Sequence, residues 1–172
     1  MPFELPPKPR LSYLLRLLHL QYSQEIGAAL HDAGFDDVGA GNAKVFPFVP
    51  REGITIGELA TVAGVRKQTM AESVEHLERA GYIERRPNPH DARSRLLFLT
   101  KRGEAVRPIA RDTGALVEKR WAKATSAKDV EDIRDRLRRL LIAVLPADSH
   151  TPADDGESAV VAARSGKRRK TT

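Results

Sequence analysis

Between residues 55 and 103 the apolar positions change their period once, and this change restricts the fold more than any other feature of the chain. Over residues 56–63, Leu59, Ala60 and Ala63 recur at helical steps. After Gly64-Val65, a second stretch over 66–80 sets Met70, Val74 and Leu77 on one face. Side chains three and four apart share a helix face, so both stretches read as short amphipathic helices. The small Ala60 lets them approach closely. Gly81 is the expected stop of the second, because glycine enters the left-handed conformation that closes a helix. Beyond it, residues 82–86 and 95–99 read as strands. The Pro- and Asn-rich stretch 87–94 reads as the loop between them. Two helices around a glycine turn, followed by a hairpin with a basic tip, make a helix-turn-helix with a wing.

Long helices are expected on both sides. Leu11, Leu15, Leu18, Tyr22, Ile26 and Ala29 follow the helical period, and Leu14, Leu17 and Leu20 widen the stripe almost all round. A helix that apolar must be covered from more than one side. Gly34 lies where it should stop. The stretch 38–49 is weaker, interrupted by Gly39, Gly41 and Pro47. Residues 101–124 read as a helix entered through Thr100, with a bend expected from Pro108 and Gly114. Ser126 is placed to cap a last helix with Val130, Ile133, Leu137, Leu140, Leu141 and Val144 on one side. Arg134, Asp135, Arg138 and Arg139 lie opposite, and Pro146 is the expected stop. Two such helices fit an intramolecular pair or a helical dimer interface. The second is the expectation, through Leu11, Leu15, Leu18, Ile133, Leu137, Leu141 and Val144.

Composition narrows the class. The 172 residues suit one domain, over 11–145, with tails. Residues 1–10 carry four prolines and read as an extended arm. Residues 146–172 hold few large apolar groups and read as a disordered tail, acidic first and basic at the end (RSGKRRK). With 29 Lys and Arg against 23 Asp and Glu, the net charge of +6 favours a polyanionic partner, nucleic acid first. The absence of cysteine excludes disulfides and thiolate metal sites. No long apolar run or secretory signal is read, so a cytoplasmic location and no membrane partner are expected. His19, His31, His76, His90 and His150 are scattered, without metal-ligand spacing, so no metal is expected. No catalytic or nucleotide-binding motif is present, so neither an enzyme nor a cofactor is expected.

The runs GELATVAGV, LERAGYIERR and DARSRLLFLTKRG closely resemble the MarR family of winged-helix transcription regulators, and the resemblance extends over about residues 11–145. It implies a mainly α fold with a small β-hairpin wing, and a homodimer whose N- and C-terminal helices intertwine. Each subunit would offer one winged helix to a palindromic operator in double-stranded DNA. The usual action is repression relieved by a small aromatic or lipophilic ligand. The alternative is a non-specific architectural DNA-binding protein using the basic tail. One residue departs from the family pattern, which commonly starts the recognition helix with Ser or Thr. Arg66 stands there and cannot cap the helix amides, so either the cap is missing or the boundary shifts by a residue. The extra charge would suit a phosphate.

Within that frame, Lys67, Gln68, Thr69 and Glu72 are expected to face bases, with Arg66 nearer the backbone. Glutamine matches adenine N6 and N7, and lysine matches guanine O6 or N7. The resemblance places Arg93, at the wing tip, in or near the minor groove, where a narrow groove concentrates negative potential. Asp91 is expected to hold the loop by a salt bridge. Arg85, Arg86 and Arg95 read as phosphate contacts or as internal partners of Asp91 and Glu84. His76 reads as structural, and His90 as a phosphate contact when protonated. In the family the ligand pocket lies between the dimer helices and the winged helix. His19, Tyr22, Phe35, Phe46 and Phe48 are candidates to line it, with core packing as the other reading of each. Trp121 reads as core of the dimer region.

Overall fold

The structure is a computed structural model that describes residues 4–145, so the charged tail lies outside the described residues. Six helices, a 3-10 turn and one hairpin follow in order: α1 (Leu11–Asp32), α2 (Ala40–Ala43), the turn Phe46–Phe48, α3 (Ile56–Val62), α4 (Lys67–Arg79), β1 (Ile83–Pro87), β2 (Arg95–Leu99), α5 (Lys101–Ala124) and α6 (Ala127–Val144). The weak stretch 38–49 therefore folds into two short turns of helix. It buries Val38, Val45, Phe46 and Val49 despite its glycines.

Helices α1, α3 and α4 end alike. In each, a glycine with positive φ (Gly34, Gly64 or Gly81) lets the chain reverse. The next residue then donates its amide to a carbonyl five residues back: Phe35 to Leu30, Val65 to Ala60 and Tyr82 to Leu77, at 2.8–3.0 Å. This closure satisfies helix-end carbonyls and brings an apolar pair together behind each stop. Three starts are capped by side chains. Thr55 and Glu58 form a reciprocal capping box on α3, Thr100 accepts from the Gly103 amide, and Ser126 accepts from the Asp129 amide. Helices α1, α2 and α4 start without a side-chain cap, and α4 bears on the site. Helix α4 starts at Lys67, one residue later than the periodicity suggests, and Arg66 at its N-cap makes no side-chain cap.

The strands pair antiparallel, with Ile83 opposite Leu99, Arg85 opposite Leu97 and Pro87 opposite Arg95. Ile54 adds an isolated bridge to Leu97, tying the segment before α3 to the wing. Leu59 and Ala60 of α3 meet Met70, Val74 and Leu77 of α4 in one buried cluster with Ile54, Ile83 and Leu97. Tyr82, fully buried, is the largest member. The Phe35 and Phe46 rings lie 6.1 and 5.8 Å from its ring. Its carbonyl accepts from the Thr100 amide at 3.0 Å, so α5 begins directly against it. Arg107 of α5 donates to the carbonyls of Phe46 and Val49 and fastens the 3-10 turn to the same helix.

The long helices are packed on one side only. Helix α1 lies along α5, and α6 folds back on α5. Gly114 sits where a Cβ would strike the Tyr22 hydroxyl, so this glycine serves close approach of α1; the bend expected at Pro108 and Gly114 does not divide α5, which is continuous from Lys101 to Ala124. Trp121 is half-buried, stacks at 6.2 Å on Tyr22 and donates Nε1–H to Gln21. Yet Leu30 is the only buried residue of α1, and α6 buries none. Leu11, Leu15, Leu18, Ile133, Leu141 and Val144 are all exposed, Val144 by 63%. Leu137 is half-buried.

Two glycines test this packing in opposite directions. A Cβ at Gly103 would run into the Tyr82 carbonyl, whereas Gly27, inside α1, has open space. Gly103→Ala is expected to lower unfolding free energy by about 2–3 kcal/mol, as overpacking against backbone does. Gly27→Ala should raise it by about 0.5–1 kcal/mol. Urea midpoints measure both, and an undiminished midpoint for Gly103→Ala would contradict the contact between α5 and Tyr82.

Candidate nucleic-acid interface

Helix α4 turns Met70, Val74 and Leu77 inward, which sends Arg66, Lys67, Gln68, Thr69 and Glu72 to the exposed side. Gln68 Nε2 lies 3.4 Å from Glu72 Oε1, one turn on, so the two polar side chains steady each other. With no side-chain cap, the first amides of α4 and the charge of Arg66 together make its start electropositive.

The wing tip is held by its own backbone. Asn88 Nδ2 donates to Ser94 Oγ at 2.8 Å, and the Asn88 carbonyl oxygen of the side chain accepts from the His90 amide. Asp91 does not form the expected salt bridge. Its carboxylate accepts the Arg93 backbone amide at 3.0 Å, closing a tight turn. The Arg93 guanidinium is thereby left without a carboxylate among the described residues. The other wing arginines sort differently. Arg85 pairs with Glu78 of α4 at 2.8 Å, joining the wing to the recognition helix. Arg86 pairs with Glu84 and lies 4.4 Å over the Phe98 ring. Neither reaches Asp91. Arg95 makes no ion pair among the described residues. The nine candidate DNA-facing residues thus divide. Arg85 and Arg86 are neutralised in the free protein, while Arg66, Lys67, Arg93 and Arg95 have no carboxylate partner among the described residues. An exposed pair contributes only about 0–1 kcal/mol, so a phosphate can displace it.

Beneath this surface lies a polar junction. The Tyr82 hydroxyl donates to Asp37 Oδ1. Arg102 Nη2 donates to both Asp37 oxygens, at 3.0 and 3.1 Å, and its guanidinium lies 4.5 Å over the Tyr82 ring. His76 Nε2 is 2.9 Å from the Asp37 carbonyl oxygen, which only accepts, so that nitrogen carries the proton. The Tyr82 hydrogen bond, with help from Arg102, holds the Asp37 carboxyl below its ordinary pKa despite some burial. Burial first, and then the bond to Asp37, push the Tyr82 phenol up. His76 has the structural role expected. Nothing in the sequence pattern marks Asp37, an acid in the loop after α1, or Arg102, a cation in the first turn of α5. A buried tyrosine demands a hydroxyl partner, but the sequence does not say that it lies 45 residues away.

The five pocket candidates are not brought together. Phe35 and Phe46 flank Tyr82, and Phe48 packs against the same core. Tyr22 leans on Trp121, and His19 is exposed beside Ser23. The ring of Tyr82 claims the first two as core partners, so they do not wall a cavity with His19. A groove of about 600 Å³ lies instead between α1 and α5. Ala28, Ala29, Leu116 and Ala122 form its apolar wall, and Lys119, Arg120 and Lys123 line it, with Arg120 paired to Glu25. No helix among the described residues is long and apolar enough to cross a membrane.

A recognition helix with a free cationic start, beside a wing with a free cationic tip, defines a winged-helix DNA-binding regulator. A model of the MarR family matches residues 48–94. The reduced form of MarR from E. coli superposes with a TM-score of 0.65 at 26% identity, covering 82% of this chain and all of that one. A MarR family protein of Mycobacterium tuberculosis, solved in complex with salicylic acid, matches with a TM-score of 0.59 at 26% identity, over 79% of this chain and 99% of that one. An uncharacterised protein of M. tuberculosis is 30% identical over 101 residues, 59% of this chain and 71% of its own. The chain belongs to the MarR family of transcription regulators.

The junction at Asp37 sets a pH dependence. A carboxyl with a depressed folded-state pKa adds stability that is complete above the ordinary carboxylate range and is lost as pH falls through the folded value. The stability gap between the wild type and Asp37→Asn should therefore be constant from about pH 7 to 5 and close below about pH 4. Urea unfolding across this range reads the gap. A gap that ignores pH would show that the carboxylate charge is not its source.

Proposed function

We propose that the chain works as a homodimer that reads a palindromic site in double-stranded DNA and represses transcription there until a small aromatic ligand binds. The observation that carries this reading is the sorting of charge on the winged helix. Arg66, Lys67, Arg93 and Arg95 stand without carboxylate partners among the described residues, on the two elements that would enter the grooves. Lys67 and Gln68 supply base contacts in the major groove, each worth about 1–3 kcal/mol of discrimination when bidentate. Arg66 and Arg95 meet phosphates, and Arg93 reaches the minor groove. The exposed apolar side chains at the start of α1 and along α6 supply the dimer contact. A twofold pair would present its recognition helices to successive major grooves about 34–36 Å apart.

A ligand relieves repression only if it prefers the arrangement that does not fit DNA. The salicylic acid complex of the M. tuberculosis family member supports an aromatic acid as the ligand class. The groove between α1 and α5 has an apolar wall with Lys119 and Lys123 beside it to meet such an acid, on the side away from Glu25 and Asp32 of α1.

Fluorescence anisotropy tests the reading, on a duplex retained by the protein from a random pool and on an unselected duplex. Gln68→Ala should lower the ratio of the two affinities about tenfold, the loss of one good base contact. Arg93→Ala should weaken binding to both and reduce the salt slope by about one ion. Salicylate should weaken binding to the selected duplex. Equal affinity of the wild type for both duplexes would overturn the reading in favour of sequence-indifferent binding.

A further inference from the structure

Asp37 belongs to none of the elements that face DNA, yet all of them are tied to it. It lies just after the glycine closure of α1, where Phe35 donates to the Leu30 carbonyl and Val38 is buried. Its backbone carbonyl receives His76 from the last turn of α4. Its carboxylate receives the Tyr82 hydroxyl, immediately before β1, and Arg102 in the first turn of α5, immediately after β2. One residue therefore joins the end of α1 to the far end of the recognition helix and to both ends of the wing.

From this geometry we propose that Asp37 is a positioning residue for DNA reading: it fixes the angle of α4 and the wing against α1. The inference rests on the DNA-binding reading above. Helix α1 carries the exposed apolar side chains of the proposed dimer contact, so the angle at its end determines how far apart the two recognition helices stand.

Apolar packing alone does not set that angle. The contacts of Tyr82 with Phe35 and Phe46 are ring contacts, which tolerate small rotations. The bonds at Asp37 are directional, and hydrogen bonds weaken steeply as their angle departs from linear. The charged partner makes them the stronger kind. Removing them leaves the apolar core complete but frees the module to turn. Specific binding requires both helices in register with the grooves. Non-specific binding requires only cations near phosphates, and these stay in place.

The test uses the full chain with Tyr82→Phe, Asp37→Ala and the double variant. Each is compared with wild type on the selected duplex, on the same duplex with one base pair inserted at its centre, and on an unselected duplex, at a temperature well below every unfolding midpoint. Each single variant should lose about tenfold in affinity for the selected duplex and less than twofold for the unselected one. The penalty that wild type shows for the inserted base pair should shrink in both. The double variant should lose no more than Asp37→Ala alone, since that change already removes the bond that Tyr82→Phe deletes. Parallel loss on all duplexes, tracking the unfolding midpoint, would reduce Asp37 to fold support and overturn the proposal. So would unchanged affinities. If wild type does not distinguish the duplexes, the DNA-reading proposal fails first and this one falls with it, a result visible before any variant is made.

Discussion

The structure depends on how Tyr82 is buried. Its ring fills the space between the segment after α1, the 3-10 turn and the start of α5, with the Phe35 and Phe46 rings inclined against it. A phenol in that position needs a partner for its hydroxyl, since an unmade buried hydrogen bond costs about 1–3 kcal/mol. Asp37 supplies it, and Arg102 offsets the carboxylate charge. The backbone of Tyr82 closes α4 by donating to the Leu77 carbonyl, and its carbonyl receives the first amide of the α5 cap. Recognition helix, wing and long helix thus meet around one side chain. Local signals create the separate elements, and this residue sets their mutual orientation.

The elements near the site were legible because their ends are chemical. Gly64 and Gly81 mark stops that only a left-handed residue makes easily, and Thr100 and Ser126 mark starts with a hydroxyl acceptor. Met70, Val74 and Leu77 give the inward face of α4 by spacing alone. Boundaries accordingly fall within a residue of expectation at α3, α4 and both strands. Other features depend on partners remote in sequence, which periodicity does not encode. Asp37 reads as a loop acid until Tyr82 and Arg102 are seen against it. Phe35 and Phe46 read as pocket-lining or as core aromatics until the ring between them is placed. Asp91 reads as a salt-bridge acid because charge suggests an arginine, whereas a short side chain in a tight turn meets its own backbone first.

The DNA-facing surface shows how ion pairing divides like residues. Arg85 and Arg86 are adjacent to acids that fold back on them, while Arg93 and Arg95 are set beyond such acids by the turn at Asp91. The free cations are therefore concentrated at the start of α4 and around the wing tip, with a tethered pair between them. That arrangement gives salt-sensitive, long-range attraction at the edges and a steadier surface in the middle.

In the single chain, α1 and α6 leave rows of leucine, isoleucine and valine exposed. Contiguous apolar surface of that kind marks an interface. The most direct measurement is sedimentation equilibrium of the protein alone and with the selected duplex. The account predicts a mass of two subunits for the free protein and two subunits per duplex in the complex. A single subunit in both conditions, or a dimer that dissociates when it binds DNA, would contradict it.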